Sequence, residues 1–166
     1  MIFYTHTDSP VGKLTLTGNG EALTGLYFST GNKALTKPDP AWRKNHRMFS
    51  DVIRQLNEYF GGLRTGFECA LAPEGTDFQL QVLEQLQQIP FGQIRSYKDV
   101  ALSLQRPGAF RAVGAANARN PIAIIIPCHR VVGANGSLTG FGGGLDAKSF
   151  LLGFEATQAS LLKQAL

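Results

Sequence analysis

At 166 residues, with 43% hydrophobic and 17% charged side chains, the chain has the composition of a soluble globular protein of one medium or two small domains. No apolar run approaches the roughly 20 residues that a membrane span needs, and Met1 to His6 lack the basic start and apolar core of a signal peptide. Two cysteines argue against a disulfide scaffold and for a reducing cytoplasm; the scattered His6, His46, His129, Cys69 and Cys128 offer no paired metal-ligand spacing; and a net charge of +4 steers toward a polyanion without establishing one.

Lys13 to Thr17 alternates with period two, Asn19-Gly20 reads as a turn, and Leu23 to Phe28 resumes an apolar run, which together predict a hairpin or meander. Gly31 to Asn45 is polar, interrupted by Pro38 and Pro40, and reads as a loop. Ser50 can cap a helix that places Val52, Ile53, Leu56, Tyr59 and Phe60 on one face and stops at Gly61-Gly62. Phe67 to Leu71 reads as a last strand. Ala72-Pro73-Glu74-Gly75 is the expected domain boundary, giving an α/β domain over 1–72 and a second domain over 76–166.

Thr76-Asp77-Phe78-Gln79 is a capping box, and the helix it opens carries Phe78, Val82, Leu86 and Ile89 at helical spacing before Pro90. Ser96 caps a second short helix from Tyr97 to about Gln105; Arg106-Pro107-Gly108 turns the chain into a third, Ala109 to about Ala118. Two short helices joined by a tight glycine-containing turn resemble a helix-turn-helix. The third helix has few side chains able to read base edges in a major groove, with only Arg111 long and polar near its start. Its alanines and glycine suit either close approach to a backbone or shallow groove, or plain helix packing.

Ile122 to Ile126 reads as a buried strand or near-strand that Pro127 ends, and Cys128-His129-Arg130 follows directly. A thiol beside imidazole and guanidinium is in a setting that lowers a cysteine pKa, whereas Cys69, with only Glu68 nearby, reads as a small core residue. In extended chain, neighbours point to opposite faces, so either the backbone turns sharply at Cys128 or a water joins thiol and imidazole. Gly133 to Gly144 is glycine-dense but lacks the Gly-Lys-Ser/Thr ending of a phosphate loop; it reads as a cover for a flat ligand or a flexible connection. Asp146 then starts a final helix that carries Phe150, Leu151 and Phe154 on one face, followed by Glu155.

Pro127-Cys128-His129-Arg130-Val131, with Ser96-Tyr97, Arg111-Ala112-Val113-Gly114, Asn120-Pro121, the glycine loop and Glu155 in order, resembles the O6-alkylguanine–DNA alkyltransferases, the methylated-DNA–protein-cysteine methyltransferases. The resemblance is specific over Thr76 to Glu155 and looser over 1–71, where it rests on the α/β pattern and Asp8-Ser9-Pro10-Val11-Gly12. It implies a ribonuclease H-like N-terminal α/β domain and a mostly α C-terminal domain of winged helix-turn-helix type. It implies further that Cys128 takes the alkyl group from O6-alkylguanine, and from O4-alkylthymine, in double-stranded DNA, once and irreversibly, with no cofactor and no metal.

The same resemblance makes His129 the base that draws the thiol proton through a water, Glu155 its partner, and Tyr97 a hydrogen-bonding group for the purine. It makes Arg111 the side chain that replaces the flipped nucleotide, Ala112, Gly114 and Ala115 a minor-groove surface, and Asn120 a tie between helix and active-site segment. Phe141, Gly142 and Gly143 would wall the base pocket, with Phe141 standing where many relatives have Tyr. A cytoplasmic monomer is expected. A helix-turn-helix regulator with a structural or redox-sensing cysteine would instead need sequence-specific affinity, and a Cys-His hydrolase would need direct thiol–imidazole contact, which adjacency disfavours.

Overall fold

The structure is a computed structural model that describes residues 1–139 and 141–165; Gly140, within the glycine-rich stretch, and Leu166 lie outside the described residues. The N-terminal unit is a four-stranded sheet ordered β3-β2-β1-β4, formed by β1 (Phe3–Thr7), β2 (Leu14–Gly18), β3 (Leu23–Phe28) and β4 (Arg43–Lys44). The first three strands run antiparallel as the period-two pattern predicts, with Leu14 opposite Phe28 and Leu16 opposite Leu26. Inside the expected loop, Arg43 and Lys44 add a short parallel edge against Phe3 and Tyr4. Helix α1 (Ser50–Phe60) buries Leu56 and Tyr59, and Gly62 closes it at φ +76, a conformation in which glycine has no Cβ to clash.

Two expectations for this unit change. Ser50 is the first residue of α1 rather than its cap: a 3-10 turn over His46–Phe49, capped by the Asn45 side chain, feeds straight into the helix. The predicted strand over Phe67 to Leu71 reduces to one parallel bridge, Leu71 with Leu23, held by Leu23 N–H to Ala70 O at 2.9 Å and Ala72 N–H to Leu23 O at 2.8 Å.

The C-terminal unit is mostly helical. Helices α2 (Asp77–Gln87) and α3 (Tyr97–Ser103) each begin on a complete capping box, Thr76 with Gln79 and Ser96 with Asp99. Helix α4 (Phe110–Ala118) follows the turn at Pro107–Ala109 and packs against both α2 and α3. It buries Val113, Ala116 and Asn117 and leaves Arg111, Ala112 and Ala115 on the outer face. Short strands β5 (Arg95–Ser96) and β6 (Val131–Val132) pair in parallel, and α5 (Leu145–Gln164) closes the unit. On α5, Leu151 is buried and Phe154 half-buried, while Phe150, expected on the same face, is exposed and stacks on Phe154 at 6.1 Å.

The largest departure lies at Ile122 to Ile126. These residues are buried as their composition requires, but they do not form a strand. Only Ile122 pairs, in one bridge to Leu26 of β3, and the chain then turns with Ile124 at φ +69. The Asn120 side chain explains the turn: its amide donates to Ile126 O at 2.8 Å while its oxygen accepts from Ile122 N–H at 3.0 Å. Polar bonds inside the segment satisfy groups that a ladder would otherwise take.

Candidate active site

Pro127 leads into a single 3-10 turn, Cys128–Arg130, so successive side chains diverge by about 120° rather than alternating between two faces. The backbone thus turns at Cys128, one of the two alternatives the sequence left open. Cys128 lines a cavity of about 250 Å3 between the end of β3, the C-terminal end of α4 and the glycine loop. Asn117, Asn120, Ala123, Phe141, Gly142 and Gly143 share that lining. A larger cleft of about 600 Å3 at the start of α5 has neither cysteine nor histidine in its walls.

His129 and Arg130 turn to Glu155 on α5. His129 Nε2–H donates to Glu155 Oε2 at 2.9 Å; Arg130 donates from Nε to Oε1 at 2.8 Å and from Nη2 to Oε2 at 2.9 Å, with a further bond from Nη1 to Ile89 O at 2.7 Å. The Tyr59 hydroxyl of α1 donates to Oε2 as well, at 2.6 Å. Burial alone would raise the Glu155 carboxyl, but hydrogen bonds and charge from Arg130 and His129 overcome it and hold the group down at about 2. Burial lowers His129 against the pull of Glu155, so the imidazole is neutral at pH 7. A carboxylate can only accept, so neutral His129 carries its proton on Nε2 and presents Nδ1 as a bare acceptor. That Nδ1 is buried without a hydrogen-bond partner among the described residues.

The thiol corrects the sequence expectation. Burial pushes Cys128 up; the Asn120 side chain, the Lys148 ammonium and the local backbone N–H groups pull it down and do not prevail. The resting group is therefore a thiol, not a thiolate. The side chains of its sequence neighbours do not help, because His129 is neutral and the Arg130 charge is spent on Glu155.

Of the other residues singled out, Asn120 ties the end of α4 to the segment before Cys128 through the bonds described above. Phe141 is buried edge-on against Phe28, ring centroids 5.4 Å apart. Gly142 O accepts from Lys33 N–H at 3.1 Å, and a Cβ on Gly143 would stand 2.4 Å from the Phe28 ring. The glycine loop is thus clamped to the N-terminal unit rather than a free connection. Tyr97 is not in the cavity lining; its hydroxyl lies 3.3 Å from Thr139 O and 3.2 Å from Thr139 Oγ1. Gly114 sits against the Tyr97 ring, while Arg111, Ala112 and Ala115 are exposed and do not line the cavity.

Four polar residues of this region were not singled out from the sequence. Lys148, fully buried, donates to Val131 O at 2.6 Å and to Thr139 O at 3.0 Å, fixing α5 to β6 and the glycine loop. Lys148, Leu151 and Glu155 recur at helical spacing, so two polar residues on an otherwise apolar stripe were a legible signal. Arg130 was visible only as a neighbour of the cysteine. Asn117, buried, donates from Nδ2 to Cys128 O at 3.3 Å. Tyr59 looked like one more apolar position of α1.

Comparison with known proteins assigns this arrangement to a family. A family model described as the DNA binding domain of 6-O-methylguanine DNA methyltransferase matches residues 77–157, and one for its ribonuclease-like domain matches 2–73. A Methanosarcina barkeri protein named methylated-DNA–protein-cysteine methyltransferase is 49% identical over 154 residues, covering 93% of this chain and 97% of its own. The chain belongs to the 6-O-methylguanine DNA methyltransferase family. Its two-unit architecture is that of the family, a ribonuclease-like α/β part followed by a helical DNA-binding part. A Mycobacterium tuberculosis relative of the same name is 47% identical over 159 residues, covering 96% of this chain and 95% of its own. The crystal structure of M. tuberculosis OGT in complex with DNA superposes with a TM-score of 0.85 at 46% identity over 94% of each chain.

Proposed function

We propose that this chain is a DNA-repair alkyltransferase that moves the alkyl group of O6-alkylguanine, and of O4-alkylthymine, in double-stranded DNA onto the sulfur of Cys128. The observation that carries the reading is the placement of Cys128 on a cavity, next in the chain to a buried, neutral His129 paired with an ionised Glu155. In the proposed step the thiol proton passes through a water to His129 Nδ1. The imidazolium that forms is held by Glu155, which orients the ring and stabilises its charge. The sulfur attacks the alkyl carbon, the S–C bond forms as the C–O6 bond breaks, and the electron pair withdraws into the purine as it gains a proton. Tyr97, whose hydroxyl meets Thr139 outside the cavity lining, would leave that partner to hydrogen-bond the purine and help neutralise the leaving group. No cofactor enters, because the damaged base supplies the alkyl group.

The product is a thioether with no carbonyl for water to attack, so each chain reacts once. The target base must leave the stack to reach the buried Cys128. Arg111, exposed at the start of α4, replaces it in the duplex, and the outer surface of Ala112, Gly114 and Ala115 lies in the minor groove. Phe141, Gly142 and Gly143 wall the base pocket. The division of labour falls between 1–72 and 76–166, and the protein works as a cytoplasmic monomer; among the described residues no helix is long and apolar enough to cross a membrane.

The test is stoichiometry. Duplex carrying labelled O6-methylguanine in excess transfers one label per chain and then stops, while Cys128→Ala binds the same duplex and takes up none. Label release beyond one equivalent, or uptake by the alanine variant, refutes the assignment.

A further inference from the structure

Glu155 receives a hydroxyl from the other half of the chain, 96 positions away in sequence: Tyr59 Oη–H donates to Oε2 at 2.6 Å, the same oxygen that accepts from His129 Nε2. Tyr59 is fully buried within an aromatic cluster of Phe60, Phe67, Phe91 and Phe154, centroids 5.0 to 6.1 Å from its own. Packing alone would be served as well by phenylalanine, which fills the same volume without a hydroxyl to satisfy. The hydroxyl has one partner, and that partner is the carboxylate of the His129 pair.

We infer that Tyr59 is a positioning residue of the proton relay: the N-terminal unit reaches into the active site and sets the direction and basicity of the Glu155 oxygen that holds His129. This rests on the reading of Cys128 as the nucleophile and His129 as its base. The charged and titratable groups facing the pair are Arg130 from the 3-10 turn, Lys148 from α5 and Tyr59 from α1, and Tyr59 alone among them comes from the N-terminal unit. Burial, with Glu155 beside it, keeps the phenol protonated far above the physiological range, so it is a fixed donor. By drawing charge from Oε2 it limits how strongly Glu155 can hold a proton on His129, and keeps the imidazole neutral and ready to accept.

Without the hydroxyl, Oε2 is more negative and His129 binds a proton more tightly. Tyr59→Phe in the full chain therefore moves the acid limb of the transfer rate upward by roughly half to one pH unit, measured with an O6-alkylguanine free base so that DNA binding does not enter. Site-specific 3-fluorotyrosine at position 59, which keeps the ring and strengthens the donor, moves the limb the other way and covers the case in which Tyr59→Phe does not fold. A limb that stays in place in the fluorinated protein, or in a folded Tyr59→Phe, overturns the inference, whatever happens to the maximal rate. Failure of the wild-type protein to accept any alkyl group would instead refute the transferase reading itself.

Discussion

At Cys128 the protein holds a thiol where a nucleophile has to be a thiolate, and the surrounding residues show how the two requirements are separated. A buried thiol is inert toward solvent oxidants and stray electrophiles. It becomes reactive only when a base takes its proton, the role proposed for the neutral His129 beside the ionised Glu155. Glu155→Gln is expected to slow transfer by about tenfold or more with duplex binding retained, because an amide stabilises an imidazolium poorly. The same change leaves Arg130 without its buried counter-charge and costs about 3–5 kcal/mol of stability by chemical denaturation.

The carboxyl is depressed from 4.5 to about 2 on folding, so its contribution is fully present above pH 4.5 and is lost as pH falls toward 2. His129, also depressed, acts in the same direction, its contribution waning as pH drops below 6.5. Denaturation midpoints that fall steadily from pH 7 to pH 3 would agree; a flat profile would not. The polar and apolar character of these residues was plain in the sequence, but the protonation state of the thiol was not. It depends on where His129 and Arg130 point, and a turn rather than a strand decides that.

Among the elements, those specified by contacts a few residues apart were read directly. The capping box at Thr76, the cap at Ser96 and the stop at Gly61-Gly62 depend on bonds within one helical turn. The strand expected at Ile122 to Ile126 failed because burial and β-branching describe an environment, while the Asn120 side chain fixes a conformation. Helix α4 keeps its outer face to Arg111, Ala112 and Ala115 because Val113, Ala116 and Asn117 take the inner one. Arg111→Ala should lower the transfer rate on duplex DNA severalfold or more and leave the free base nearly unaffected; equal losses on both would remove Arg111 from nucleotide replacement.

The glycine loop is held by close approach: at Gly143 a methyl group would meet the Phe28 ring. Gly143→Ala is expected to cost about 1–3 kcal/mol and lower the melting temperature by several degrees, through displacement of the loop from β3. An unchanged melting temperature would mean that the loop is not clamped there.

Across the whole molecule, the site belongs to both units. The N-terminal unit supplies the Leu26 bridge to Ile122, the Phe28 ring behind Phe141 and the Tyr59 hydroxyl on Glu155, while the C-terminal unit carries Cys128, the proposed nucleophile. A two-part architecture, α/β then helical, was legible in the sequence. The joining of the two halves was not, since a pair 96 residues apart leaves no periodic trace in one sequence. Tyr59 carries the signature of a core residue because it is one, and only its partner distinguishes it.

In the proposed reaction the sulfur of Cys128 is the final resting place of the alkyl group. Digestion after incubation with duplex DNA containing O6-methylguanine, followed by mass spectrometry of the peptides, tests it most directly. The peptide holding Cys128 should gain one methyl group in step with its loss from the DNA, and the peptide holding Cys69 should be unchanged. An unmodified Cys128 peptide alongside demethylated DNA, or methyl on Cys69 instead, would contradict it.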